Sequence, residues 1–169
     1  MQRRTTAAVA AISALIVGAS MAGNATASPT FSYLKNRGTD KCLAIPGGST
    51  QGGIGLIQWK CGDWEDHQWK LEEAFTSDVM YYKVVNKKTN MCLAVPGGSA
   101  EDGVQVIQWP CGDWLDHYWR FEAAGANKYR VINRASGKCL GADGGSKANG
   151  ARVIQWPCGT WRDHYWKRA

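Results

Sequence analysis

The chain has 169 residues and a formal net charge of +6, from 20 Lys and Arg against 14 Asp and Glu. Its charges are interspersed without a basic run, so composition gives no case for nucleic acid as a partner. Six cysteines, nine tryptophans and only three histidines leave the order of the residues to say more.

Residues 1–27 read as a secretory signal peptide. Arg3 and Arg4 form a basic start, Ala7 to Gly23 is an uncharged run of small and apolar residues, and Ala25-Thr26-Ala27 offers a small-x-small cleavage pattern. The apolar run is short and alanine-rich, and no charged stop-transfer segment follows, so membrane insertion is not expected. Cleavage near Ala27 predicts a secreted chain of residues 28–169, whose charge falls from +6 to +4 with the loss of Arg3 and Arg4. That length suits one domain with a modest core, expected to be a monomer.

The rest of the chain repeats itself three times, over about 30–75, 80–124 and 128–169. Each repeat opens with a strand-like run: Thr30 to Leu34, Tyr81 to Val85 and Lys128 to Ile132. A polar turn follows, beginning at Asn36, Asn86 and Asn133, and then Cys-Leu in a short second strand. A glycine-rich loop such as Pro96-Gly97-Gly98-Ser99 leads to a third strand at Ile-Gln-Trp. The fourth strand is predicted to start at the histidine and alternate, with His117, Trp119 and Phe121 on one face and Tyr118 and Arg120 on the other. Four short strands per repeat, with no amphipathic helix, predict a closed all-β architecture of about twelve strands. A single repeat could not bury its apolar face.

All nine tryptophans and all three histidines fall in one recurring stretch, Val106 to Trp119 with its copies Leu56 to Trp69 and Val153 to Trp166. Cys42 and Cys61, Cys92 and Cys111, and Cys139 and Cys158 are each 19 apart. Six cysteines allow 15 pairings. The threefold repetition favours one bridge inside each repeat, in keeping with export to an oxidising compartment. A metal site of two cysteines and a histidine per repeat has no compact zinc spacing and is not expected. No cofactor is implied.

Three repeats of this length, each with Cys-Leu, an aromatic-x-Cys and a closing x-x-Trp, resemble the ricin-B-type β-trefoil lectin family across essentially all of residues 28–169. The resemblance implies a β-trefoil of six hairpins, three forming a barrel and three a cap, with a shallow sugar pocket possible in each repeat. In that family the pocket takes an aspartate two residues after the first cysteine and a glutamine two before the aromatic. The aromatic itself, and an asparagine before the closing Gln-x-Trp, complete it. Here the aspartate position holds Ala44, Ala94 and Gly141, and the glutamine position holds Ile57, Ile107 and Ile154. Asp66, Asp116 and Asp163 stand for the asparagine, and His67, His117 and His164 for the following glutamine. A galactose-type site is therefore not expected, because an apolar residue cannot accept the hydroxyl hydrogen bond that an aspartate does. Asp143, two places beyond the usual aspartate, is a displaced acid in the third repeat.

The tryptophans divide into three sets. Trp69, Trp119 and Trp166 lie on the inward face and are expected in the core. Trp59, Trp109 and Trp156 match the family's stacking position and are expected to contact a sugar, with Asp66, Asp116 and Asp163 as acceptors. Trp64, Trp114 and Trp161 admit two readings, a cover over the disulfide or a second aromatic wall of the same pocket. Each Asp-His pair, if it lies on a strand, points to opposite faces and cannot share a proton, so each histidine is expected as an internal donor and acceptor. Gln58, Gln108 and Gln155 are expected as buried amides satisfied by backbone. No nucleophile with a base and no phosphate loop is present, so the chain is expected not to be an enzyme. The functional expectation is a secreted glycan- or polysaccharide-binding module with up to three tryptophan-lined sites. The alternative is a trefoil without sugar binding that presents its loops to a protein partner, for example as an inhibitor.

Overall fold

A computed structural model describes residues 30–76 and 79–169. The expected signal peptide and its expected cleavage near Ala27 lie outside the described residues. Each repeat supplies four strands, as expected. The first gives β1 (Ser32–Asn36), β2 (Cys42–Ala44), β3 (Ile57–Trp59) and β4 (Gln68–Thr76). The second gives β5 (Val79–Asn86), β6 (Cys92–Ala94), β7 (Ile107–Trp109) and β8 (Tyr118–Ala123). The third gives β9 (Tyr129–Asn133), β10 (Cys139–Ala142), β11 (Val153–Trp156) and β12 (Tyr165–Arg168).

The pairing closes a ring. β1 pairs with β4 and β12, β5 with β4 and β8, and β9 with β8 and β12, all antiparallel. This is a six-stranded barrel without a free edge. The hairpins β2–β3, β6–β7 and β10–β11 attach to it through β1, β5 and β9. They also bridge one another at Gly55–Ile107, Ile57–Arg152 and Gln105–Ile154. The fold is the β-trefoil that the family resemblance implied. Among the described residues no helix is long and apolar enough to cross a membrane.

The core forms where the three repeats meet. Trp69, Trp119 and Trp166 are buried there with Leu34, Leu43, Leu93 and Leu140. A buried indole N–H needs an acceptor, and each donates to the carbonyl of the leucine 26 residues earlier: Leu43 at 3.1 Å, Leu93 at 2.9 Å and Leu140 at 2.8 Å. The bridges Cys42–Cys61, Cys92–Cys111 and Cys139–Cys158 pair each repeat with itself and leave no free cysteine.

The buried glutamines fasten one repeat to the next. Gln108 donates to the carbonyls of Ser49 and Gln51 in the first repeat, at 2.9 and 2.7 Å. Gln155 donates to Ser99 and Glu101 in the second, and Gln58 to Ser146 and Ala148 in the third. Each amide oxygen accepts from a hydroxyl of its own repeat, Thr39, Thr89 or Ser136. The contacts run in a cycle.

Two local expectations need correction. The fourth strand begins one residue after the histidine, and His67, His117 and His164 instead end short 3-10 turns, Glu65–His67, Leu115–His117 and Arg162–His164. The asparagines at the start of the predicted polar turns end β1, β5 and β9 and are fully buried. Each uses its Oδ1 to accept two backbone N–H groups of the turn that follows.

Candidate functional site

Three clefts repeat around the molecule, one per repeat, of about 520, 700 and 390 Å³ in chain order. Each is lined by two tryptophans, an aspartate and a histidine: Trp59, Trp64, Asp66 and His67 in the first. Trp109, Trp114, Asp116 and His117 line the second, and Trp156, Trp161, Asp163 and His164 the third. The residues expected to contact a sugar are thus brought together, and so are the second tryptophans.

The first indole of each pair sits at the end of a strand whose preceding glutamine points inward, so the alternation turns the indole outward. Trp59, Trp109 and Trp156 are 37, 43 and 40 % exposed. Their supports come from another repeat. Gly150, Gly53 and Gly103 adopt φ of +84°, +83° and +76° and donate their N–H to the carbonyls of Gln58, Gln108 and Gln155 at 2.8–2.9 Å. A side chain at Gly53 would stand 3.3 Å from the Trp109 ring. Glycine thus serves twice there, for its backbone angle and for room.

The second indole covers the backbone beside the bridge. Trp64, Trp114 and Trp161 lie across Gly62, Gly112 and Gly159, where a Cβ would collide with the ring. Each ring also tilts against its histidine, with centroids 5.1 Å apart in all three repeats. Its outer side faces the cleft, at 47, 58 and 57 % exposure. The ring thus covers the glycine that follows the cysteine and also lines the cleft.

The Asp-His geometry overturns the expectation of opposed side chains. In a 3-10 turn successive residues are about 120° apart rather than 180°, so both side chains reach one cleft. His Nε2 lies 3.5 Å from Asp66 Oδ2, 3.7 Å from Asp116 and 3.8 Å from Asp163. These separations exceed a hydrogen bond and leave an electrostatic contact. Nδ1 of His117 and of His164 accepts the backbone N–H of Gly112 and Gly159 at 3.3 Å. His67 Nδ1 is buried and makes no such bond. Burial holds all three imidazoles below their usual pKa, against the opposing pull of the aspartates. A neutral ring that accepts at Nδ1 carries its proton on Nε2, toward the carboxylate. His117 and His164 thus tie the loop under the second tryptophan.

The aspartates are also held by their backbones. Asn86 donates to the carbonyl of Asp66, Asn133 to that of Asp116 and Asn36 to that of Asp163, at 2.9, 2.8 and 2.6 Å. Each asparagine belongs to the repeat that follows, cyclically. Sequence reasoning missed these positioning residues, although their recurrence at one place in all three repeats was a signal.

The rest of each lining is apolar where the family pattern is polar. Ala44 with Ile57, Ala94 with Ile107, and Gly141 with Ile154 line the three clefts. Beside them run the turns Pro46–Gly48, Pro96–Gly98 and Asp143–Gly145, each with two successive glycines at φ near +60°. Asp143 thus opens the third turn where the others have proline, lines the third cleft and faces Arg152 at 3.5 Å.

The model of the ricin-type β-trefoil lectin domain-like family matches the chain over residues 24–109, 74–156 and 115–168. The chain belongs to this family. Among solved structures it is similar to ThreeFoil, a designed 3-fold symmetric protein, with 29% identity and a TM-score of 0.77 over 82% of this chain and 97% of that one. It is similar to 1,3Gal43A, an exo-β-1,3-galactanase from Clostridium thermocellum, with 26% identity and a TM-score of 0.80 over 85% of this chain. The hemolytic lectin CEL-III shares 25% identity, with a TM-score of 0.67 over 84% of this chain. The matched lengths are 30% of the galactanase chain and 31% of CEL-III, so this ricin-type trefoil spans less than a third of either. No curated relative matches the chain.

Proposed function

We propose that this ricin-type trefoil is a secreted, non-catalytic carbohydrate-binding protein, acting as a monomer through three two-tryptophan clefts. One observation carries the reading. Among the described residues, the large hydrophobic side chains left exposed are six tryptophans, paired in three clefts, and Leu115 beside the second pair. Exposed indoles cost hydrophobic free energy unless a ligand covers them, and the C–H face of a sugar ring packs on an indole. Asp66, Asp116 and Asp163 stand beside the indoles as acceptors for sugar hydroxyls. Each cleft alone binds weakly, and three on one rigid body gain avidity on a polymer.

The repetition favours a repeated ligand, a polysaccharide, over a protein partner. The clefts of repeats 1 and 2 each hold one carboxylate, whereas most glycoside hydrolases place two around the scissile bond; the third cleft holds Asp163 and Asp143, the latter facing Arg152 at 3.5 Å. Three disulfides within so small a domain support export. Retention on insoluble polysaccharides, followed by a glycan array, tests the reading. The wild type should be retained on at least one polysaccharide, and a Trp59→Ala, Trp109→Ala, Trp156→Ala triple variant should not. Equal retention of both proteins, or of neither on any glycan, defeats it.

A further inference from the structure

The three clefts share their tryptophans, aspartate and histidine and differ, among other places, at an edge position that comes from the following repeat. Lys88, Ala135 and Gly38 occupy equivalent places in the three turns, each giving its backbone N–H to the buried asparagine at 2.9–3.0 Å. Lys88 lines the first cleft and Ala135 the second. Gly38 abuts the backbone of Asp163, with no space for a side chain.

Lys88 reaches across the cleft of the first repeat. A Cβ on Gly48 would collide with its Nζ, while the matching Gly98 and Gly145 have open space as far as the aspartates, at 3.9 and 3.7 Å. Gly48 is buried as a result, and the other two are not. The lysine narrows the cleft without filling it, since about 520 Å³ remains, more than the 390 Å³ of the third. Among the described residues, no carboxylate stands in an ion pair with Lys88, whereas Asp66 faces His67. The ammonium thus lies in the cleft lining, against Gly48, without a carboxylate at ion-pair distance.

Resting on the carbohydrate-binding reading, we infer that Lys88 makes the first cleft selective for a sugar carrying an anionic substituent, a preference the other two clefts lack. The indoles hold the ring face, and the ammonium forms a charge-assisted hydrogen bond to the substituent.

Indole N–H resonances of the 15N-labelled protein read each cleft separately, with buried Trp69, Trp119 and Trp166 as internal controls. The probes are trigalacturonate for a carboxylate, galactose 6-sulfate for a sulfate and galactotriose as the neutral sugar. An anionic probe should shift Trp59 and Trp64 at a concentration about tenfold lower than galactotriose requires. Lys88→Ala, at an exposed position, should abolish that preference, and 0.5 M salt should weaken it. Ala135→Lys should confer the same preference on Trp109 and Trp114. Equal response of Trp59 and Trp64 to neutral and anionic probes, or a preference that survives Lys88→Ala, overturns the role of Lys88. It would leave the carbohydrate reading standing. Silence of all six cleft indoles with every probe overturns the role of Lys88, and the carbohydrate reading falls with it only if the protein is also retained on no polysaccharide.

Discussion

Asn86, buried at the end of β5, donates its side-chain amide to the backbone carbonyl of Asp66 in the preceding repeat at 2.9 Å. Its Oδ1 meanwhile holds the turn that carries Lys88. One side chain thus fixes two edges of one cleft. Removing it leaves buried backbone groups without partners, so Asn86→Ala should cost about 1–3 kcal/mol of stability. Urea melts should show a lower midpoint with an unchanged slope, and Trp59 and Trp64 should lose ligand response more than Trp156 and Trp161.

The second expectation is covalent. Replacing Cys92 and Cys111 together by alanine should cost about 3 kcal/mol, the chain-entropy value for a loop of this size. Fragment masses without reductant should show the links 42–61, 92–111 and 139–158. A link between repeats would contradict the structure.

Free galactose should bind weakly or not at all. The cleft positions where the family places aspartate and glutamine are filled by Ala44 and Ile57 and their counterparts, so a lone sugar finds a stacking surface with few hydroxyl partners. Titration calorimetry should give no submillimolar affinity for galactose. Extended glycans should bind more tightly, and Trp109→Ala should remove the contribution of the second cleft.

Acid should destabilise the fold through the histidines. Burial lowers the folded-state pKa of His67, His117 and His164, so below the unfolded value of about 6.5 the unfolded chain binds more protons. Stability is then fully present above that pH and falls as pH drops through it toward the lowered folded value. The slope is at most about 1.4 kcal/mol per pH unit per histidine. Asp66, Asp116 and Asp163 reduce the effect, while Lys83 and Arg130 add to it at His117 and His164. Melts between pH 7.5 and 5 should show the wild type losing more stability than a variant with all three histidines changed to glutamine. Equal losses would remove the neutral imidazoles from the account.

Much of this was legible because it recurs within the chain. Equal spacing repeated three times pointed to the disulfides, and alternation placed Trp119 inside. The Asp-His relation was not legible, because three residues of 3-10 turn between a bridge and a strand leave no periodic trace. Lys88 was hidden for the opposite reason. It is where the copies differ, and it serves a cleft whose tryptophans lie more than twenty residues earlier. Pattern reading finds what copies share within a repeat and is blind to contacts made across the boundary between them.

Those boundary contacts bear on how such a chain can diverge. The second cleft has its tryptophans in one repeat, Gly53 in the repeat before and Ala135 in the repeat after. The segment that is copied is therefore not the segment that forms a site. A copied repeat brings its own indoles but alters the rim of its neighbour's pocket, so one substitution in a turn retunes a site whose aromatic residues stay untouched. Ligand preference can drift in one cleft while the shared scaffold, and the other two clefts, stay as they were.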